Sequence, residues 1–328
     1  MKYDRVIGIL SIRFFSLLFA LAVFSSVAQT FPDRPIKLVV PATAGGPTDV
    51  LARFVAEGLQ KLLGQPAIID NRAGAGGVIA ARYVASAPAD GYTLLFGNTA
   101  TYATIPATSK TAGYDPRRNL VAVAKLIDSY QVVVVRPDLP IKSMSDLLAY
   151  AKANPGKMNF GAVGPGNITH LSGELLKSRT GIEFTTVHYK SGAESLNAMV
   201  GGQIDFAIDN IGAVRSLVNA GRLRAIAVTS AARKPEFPDL PTMTEAGVPN
   251  FVVTSFFGIM APSDTPNAIV TKLNGAINEG LKTAAFQSFL MQMGAQPAPD
   301  TPDRFRQFID EELRKWTELA RSSNIDMN

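Results

Sequence analysis

The chain has 328 residues, of which 47% are hydrophobic and 18% charged, with a formal net charge of +5. That length is long for one core and natural for two domains, and the composition excludes a disordered polymer. Cysteine is absent, which excludes a disulfide framework and any thiolate metal site.

Lys2, Arg5 and Arg13 precede the apolar run from Phe14 to Phe24, and Ser26, Val27 and Ala28 supply small residues for cleavage. Basic, apolar and small segments in that order predict a secretory signal peptide over 1–28 and a mature chain from near Gln29. The uncharged stretch after Arg13 is short for a membrane span. Without residues 1–28, which carry Lys2, Arg5, Arg13 and Asp4, the net charge falls from +5 to +3. The remaining basic residues are scattered and not interleaved with aromatic ones, so nothing marks a nucleic-acid surface. An exported chain without cysteine points to a bacterial periplasm.

Ile36 to Val40 is an apolar run and predicts a strand. The stretch "PATAGGPTDVLAR" follows it. Pro47 suits the first helical position and Asp49 complements the helix dipole. Leu51, Phe54, Val55, Leu59 and Leu62 then recur at helical spacing until Gly64 ends the helix. Gly45 and Gly46 leave that helix start bare. This fits either a plain strand-to-helix turn or a seat for an anion on backbone N–H groups.

A second strand over 67–69, a helix over 78–86 and a third strand over 92–96 complete a βαβαβ pattern. Such a pattern predicts a parallel sheet flanked by helices. After residue 128 a second series begins, with strands over 132–135, 158–163, 184–187, 203–208 and 224–228. Helices over 143–153, 168–179, 192–200 and 213–220 fall between them. A proline-rich crossover over 234–249 leads to a strand over 252–260 and to helices over 266–284 and 301–323.

Several strands end in small or polar residues just before a helix. These are Ala44-Gly45-Gly46, Asn98-Thr99-Ala100-Thr101, Gly164-Pro165-Gly166-Asn167 and Lys190-Ser191-Gly192. Ligands of open α/β sheets bind outside the carboxyl ends of strands. Two such sheets facing one another would bring helix N-termini to a cleft from both sides, as in a receptor.

Catalytic patterns are missing from the sequence. Only two histidines occur, His170 and His188, with no G-x-S-x-G elbow and no H-E-x-x-H pair. His170, in the first turn of its helix, either approaches a ligand or packs beside the Gly164–Asn167 loop. Gly74-Ala75-Gly76-Gly77 fails the dinucleotide fingerprint because its third glycine would fall at Ile79. Asp49, Asp90, Asp205 and Asp209 stand at element ends, where capping is the ordinary role. Neither an enzyme, a metal centre nor a cofactor is expected.

An ordered set of short motifs carries a resemblance. Phe31-Pro32-Asp33-Arg34-Pro35-Ile36 comes first, then Ala44 to Asp49 with Ala52-Arg53, and then Asn71-Arg72-Ala73-Gly74-Ala75-Gly76-Gly77. Ala89 to Leu95, Ala153 to Lys157, Tyr189-Lys190, Gly201 to Asp205, and Phe257-Gly258 through Ala261-Pro262 continue in the same order. With these the chain resembles the tripartite tricarboxylate transporter solute-receptor family, the Bug or TctC-like periplasmic binding proteins, over the whole mature length.

The resemblance implies a two-lobed type II periplasmic binding fold, each lobe a mostly parallel α/β sheet flanked by helices. Lobe 1 would take 29–127 plus 253–328 and lobe 2 would take 128–252, closing on a small carboxylated solute. In similar proteins backbone N–H groups, hydroxyls and bridging waters hold the carboxylate. By motif, the lobe 1 contacts would be Thr43, Ala44, Gly45, Gly46, Thr48 and Asp49, with Asn98, Thr99 and Thr101 beside them. The lobe 2 contacts would be Gly164, Pro165, Gly166, Asn167, Thr169, Tyr189, Lys190, Asp209 and Asn210. Arg53 reads as an ion-pair partner one turn inside its helix. Before its last strand the family often has Ser-Trp-Phe/Tyr-Gly, whereas this chain has Ser255-Phe256-Phe257-Gly258. Phe256 therefore offers a ring at the site without an indole donor.

The resemblance further implies a periplasmic monomer that delivers its solute to a tripartite tricarboxylate membrane permease or senses it. No nucleic acid and no cofactor are involved. The alternatives are a receptor for an amino acid or an aromatic acid or amide, and a secreted enzyme on a two-lobed scaffold.

Overall fold

The computed structural model describes residues 31–322, so the expected signal peptide and its cleavage point lie outside the described residues. Strand β1 (Ile36–Val40) runs into helix α1 (Pro47–Leu63), which Gly46 starts and Gly64 ends. Gly64 has φ 75° and returns its N–H to Gln60. That left-handed conformation is one a Cβ would oppose. The buried stripe of α1, with Leu51, Ala52, Val55 and Leu59, packs on Ile36, Leu38 and Val40. Each large side chain buried there contributes roughly 1.5–3 kcal/mol.

Next come β2 (Ala67–Asn71), α2 (Val78–Ala85) and β3 (Thr93–Asn98), followed by a π-turn over Ala100–Thr104. Strands β2, β1 and β3 are parallel neighbours, in the order β2-β1-β3.

Strand β4 (Leu120–Val135) has 16 residues and is shared by two groups of strands. Its first part pairs antiparallel with β9 (Thr254–Pro262), which pairs antiparallel with β3. Its last residues, from Gln131 on, pair antiparallel with β7 (Phe206–Asn210) and β8 (Arg224–Val228). The second group also holds α3 (Met144–Ala153), β5 (Asn159–Val163), α4 (Ile168–Thr180), β6 (Thr185–Tyr189), α5 (Gly192–Val200) and α6 (Ile211–Asn219). Strands β6, β5 and β7 are parallel. Helices α7 (Asn267–Leu281) and α8 (Ala284–Gln292), the short β10 (Gln296–Pro297) and α9 (Pro302–Ser322) return to the first group. The result is the expected α/β architecture, mixed in strand direction where β4 and β9 enter.

The main differences from the sequence reading lie in two elements. Strand β4 begins at Leu120, not at residue 132, because Lys125, Asp128, Ser129 and Gln131 break its apolar pattern. Most of those polar atoms find partners inside the fold, while Asp128 Oδ1 is buried with no hydrogen-bond partner among the described residues. The Lys125 ammonium meets Asp128 at 2.8 Å and lies 3.8 Å from the centre of the Phe308 ring. Gln131 accepts from the Ser172 hydroxyl at 2.7 Å. The single helix expected over 266–284 is instead two, since the Thr283 hydroxyl accepts the Phe286 N–H and starts α8 afresh.

Candidate ligand-binding cleft

The carboxyl ends of β1 and β3 in one group, and of β5, β6 and β7 in the other, carry the loops that were read as contacts. Between Val40 and α1, residues Thr43, Ala44 and Gly45 are exposed, Gly46 and Thr48 are partly buried, and Asp49 is buried. Asp49 organises this turn. Its Oδ2 accepts from the Gly45 N–H at 2.9 Å and from Arg53 Nε at 2.8 Å, while Oδ1 accepts from Asn71 Nδ2 at 2.9 Å. Asn71 Nδ2 also donates to the Ala42 carbonyl at 3.1 Å. The Arg53 and Gly45 donors hold the Asp49 carboxyl down at about 2, so it is ionised at any ordinary pH. Arg53 is thus the ion-pair partner expected of it. The Gly45 N–H is occupied by Asp49.

At the end of β3 the Asn98 side chain accepts the Thr101 N–H at 3.2 Å. Thr99 ties β3 to β9, its hydroxyl accepting the Phe256 N–H at 2.8 Å. Thr101 is fully buried beneath the turn. The Phe256 ring is also fully buried, packed with Tyr102, Phe305 and Phe308. Phe256 therefore belongs to the core, because strand alternation turns its neighbour Phe257 toward the opposite face. Phe257 is the partly exposed ring and packs on Phe96.

In the second group, the loop from Gly164 to Asn167 joins β5 to α4. Asn167 caps α4, accepting the Thr169 N–H at 3.1 Å, and Gly166 N–H donates to His170 Nδ1 at 3.0 Å. Thr169 is buried and its hydroxyl accepts the Val163 N–H at 2.9 Å, so it too serves the fold. The Tyr189 carbonyl accepts the Gly164 N–H at 3.1 Å. Lys190 donates its N–H to Glu194, within a Ser191–Glu194 cap of α5.

Asp209, at the end of β7, is buried and accepts only the adjacent Asn210 N–H, at 2.7 Å, among the described bonds. Burial pushes its carboxyl up to about 6. Asn210 donates to Ser129 Oγ at 2.5 Å and caps α6 through Gly212.

A cleft of about 630 Å³ separates the two groups. Gly164, Pro165, Gly166 and Asn167 line one side, as expected. The opposite side is formed by Ala75, Gly76, Arg82, Ala100, Ser109 and Thr111. Apart from the Asn98–Thr101 neighbourhood, none of these was singled out as a contact. The signal was present in Asn71–Gly77, where Gly74, Gly76 and Gly77 have positive φ and even Ala75 sits at φ 46°. Arg82 donates Nε–H to the Ala112 carbonyl at 2.6 Å and a second N–H to the Thr111 carbonyl. No carboxylate among the described residues pairs with it. Among the described residues, no cluster of His, Asp or Glu could hold a metal ion, and no helix is long and apolar enough to cross a membrane.

With this geometry in place, known proteins are informative. The family described as "Tripartite tricarboxylate transporter family receptor" matches residues 51–325. Protein BugT of Bordetella pertussis is 38% identical over 301 residues, covering 92% of each chain. Among solved structures, R. palustris Rpa4515 with adipate is 39% identical at a TM-score of 0.75, covering 90% of this chain and 99% of that one. MatC (Rpa3494) from Rhodopseudomonas palustris with bound malate is 33% identical at a TM-score of 0.72, covering 88% of this chain and 99% of that one.

Proposed function

The chain belongs to the tripartite tricarboxylate transporter receptor family, and from that premise we propose that it captures a small carboxylated solute in the cleft between its two lobes. The observation that carries this reading is Arg82. It is the charged residue among those described as lining the cleft, and its guanidinium rests on two carbonyls rather than on a carboxylate. Its positive charge is left for a solute, and guanidinium geometry suits carboxylate oxygens. Adipate in Rpa4515 and malate in MatC support the same class.

The lobes are taken as 29–127 plus 253–328 and 128–252, a division supported by β4 changing partners near Gln131. Delivery to a tripartite membrane permease, or sensing, is the role that a periplasmic receptor of this family would play. Thr43 to Gly46, Asn98, Tyr189, Lys190 and Asp209 remain proposed contacts beside the observed lining.

Calorimetry with adipate, malate, citrate, glutamate, benzoate and uncharged hexanediol tests the reading. One or more carboxylates should bind saturably, hexanediol should not, and Arg82→Gln should weaken binding at least about tenfold, ~1.4 kcal/mol. A preference for glutamate or benzoate would set the class as amino or aromatic acids. Hexanediol binding as tightly as the acids, or none of the acids binding, would overturn it.

A further inference from the structure

We propose that His170 is a positioning residue whose neutral imidazole holds the Gly164–Asn167 wall of the cleft, so that protonating it loosens the wall and weakens ligand binding. The consequence for binding rests on the receptor reading above; the geometry does not.

The Gly166 N–H points at His170 Nδ1 across 3.0 Å, so Nδ1 must be bare and Nε2 must carry the proton. Gly166 is buried, has φ 73°, and is held otherwise by a turn from Asn167 N–H to the Gly164 carbonyl at 3.1 Å. An imidazolium would turn an N–H toward the Gly166 N–H. It would thereby exchange a hydrogen bond for two opposed donors at the buried Gly166. All four residues of that turn line the cleft. His170 itself does not line it, so its effect is exerted through the loop.

The charged and titratable groups facing His170 come from two elements. Glu174 and Lys177 lie on its own helix α4, and His188 on β6, its ring 4.9 Å away edge-on. Glu174 Oε1 stands 3.9 Å from Nε2 but is itself engaged by Lys177 at 2.8 Å. Burial, then His188, lower the pKa of His170 below its ordinary 6.5, with Glu174 opposing and Lys177 adding to the shift. The neutral form is therefore the resident one at neutral pH. Its contribution is complete above about 6.5 and is lost as pH falls through the lower native value.

Nitrogen-15 spectra of the labelled protein, followed from pH 8 to 5, decide the first half. The His170 ring should show the Nε2–H tautomer, and the Gly166 amide should shift with the same midpoint, below 6.5. Replacing His170→Asn leaves an oxygen able to accept the Gly166 N–H and removes the titration, so that midpoint should vanish. Calorimetry with adipate as probe decides the second half. Relative to His170→Asn, the parent should lose affinity toward about tenfold per pH unit below the midpoint. His170→Phe should bind more weakly than His170→Asn throughout. An Nδ1–H tautomer, a Gly166 amide indifferent to the His170 titration, or matching pH profiles for the parent and His170→Asn would each overturn the proposal. The spectra need no ligand, so their failure is separate from any failure of the receptor reading.

Discussion

Two residues at strand ends illustrate how a site is kept at the expense of stability. Asp209 is buried with no cation paired to it among the described residues, and its carboxyl is raised from 3.8 to about 6. Between those values the folded chain holds a proton that the unfolded chain has released, so stability falls as pH rises from about 4 through 6. Asp209→Asn keeps the acceptor for the Asn210 N–H and removes the buried charge. Urea unfolding should find the variant more stable at pH 7.5, by at most about 3 kcal/mol, and alike at pH 4. Equal or lower stability at pH 7.5 would show that the charge is compensated. Gly46 provides a contrasting case. It has φ −77°, and a Cβ there would meet nothing closer than the Thr43 carbonyl at 3.6 Å. Gly45, by contrast, has φ 83° and strains with any side chain. Gly46→Val should fold like the parent yet bind the preferred carboxylate at least about tenfold more weakly, ~1.4 kcal/mol. Parent-like calorimetry would reduce the diglycine to a turn.

At the scale of elements, α4 depends on Thr169 more than a ligand does. Its hydroxyl satisfies the Val163 N–H at 2.9 Å and shares the Asn167 cap. Thr169→Val should therefore lower unfolding stability by about 0.5–1.5 kcal/mol, the net worth of one hydrogen bond to the partly buried Val163 N–H. Binding by the fraction that remains folded should change less, and a variant of parental stability would refute this. The same helix shows what a sequence can disclose. Its span and the ion-pair role of Arg53 were readable, while Asn167, read as a ligand contact, also proves to be its cap, with Gly181 at its end and Asp49 as the partner of Arg53. What was hidden depends on distance along the chain. Asn71 reaches Asp49 across 22 positions, and the Phe308 ring that covers the Lys125 ammonium in β4 arrives from α9. The cleft lining at Arg82 and Thr111 was missed for the same reason. Neither ends a strand, and they meet only when Arg82 closes over the carbonyls near Gly113.

The whole molecule turns on the region where β4 passes from one strand group to the other. There the start of α6 and the residues just after α8 touch backbone to backbone. A Cβ on Gly212 would lie 2.6 Å from the Met293 carbonyl oxygen, and one on Gly294 would lie 2.7 Å from the Gly212 nitrogen. Ser129 in β4 donates to the Gly294 carbonyl at 3.1 Å and receives Asn210 at 2.5 Å, which joins the two contacts to the crossing strand. A joint so tight in backbone can act as the pivot on which two lobes close around a bridging solute. Gly212 has an ordinary φ, so Gly212→Ala strains packing rather than conformation. The added methyl must push Met293 away and prop the lobes apart. Small-angle scattering should then give a larger radius of gyration for the unliganded variant than for the parent. The parent should contract with saturating solute, and the variant should need at least about tenfold more solute to do so, ~1.4 kcal/mol. Superimposable scattering curves and equal affinities for the two proteins would place the pivot elsewhere.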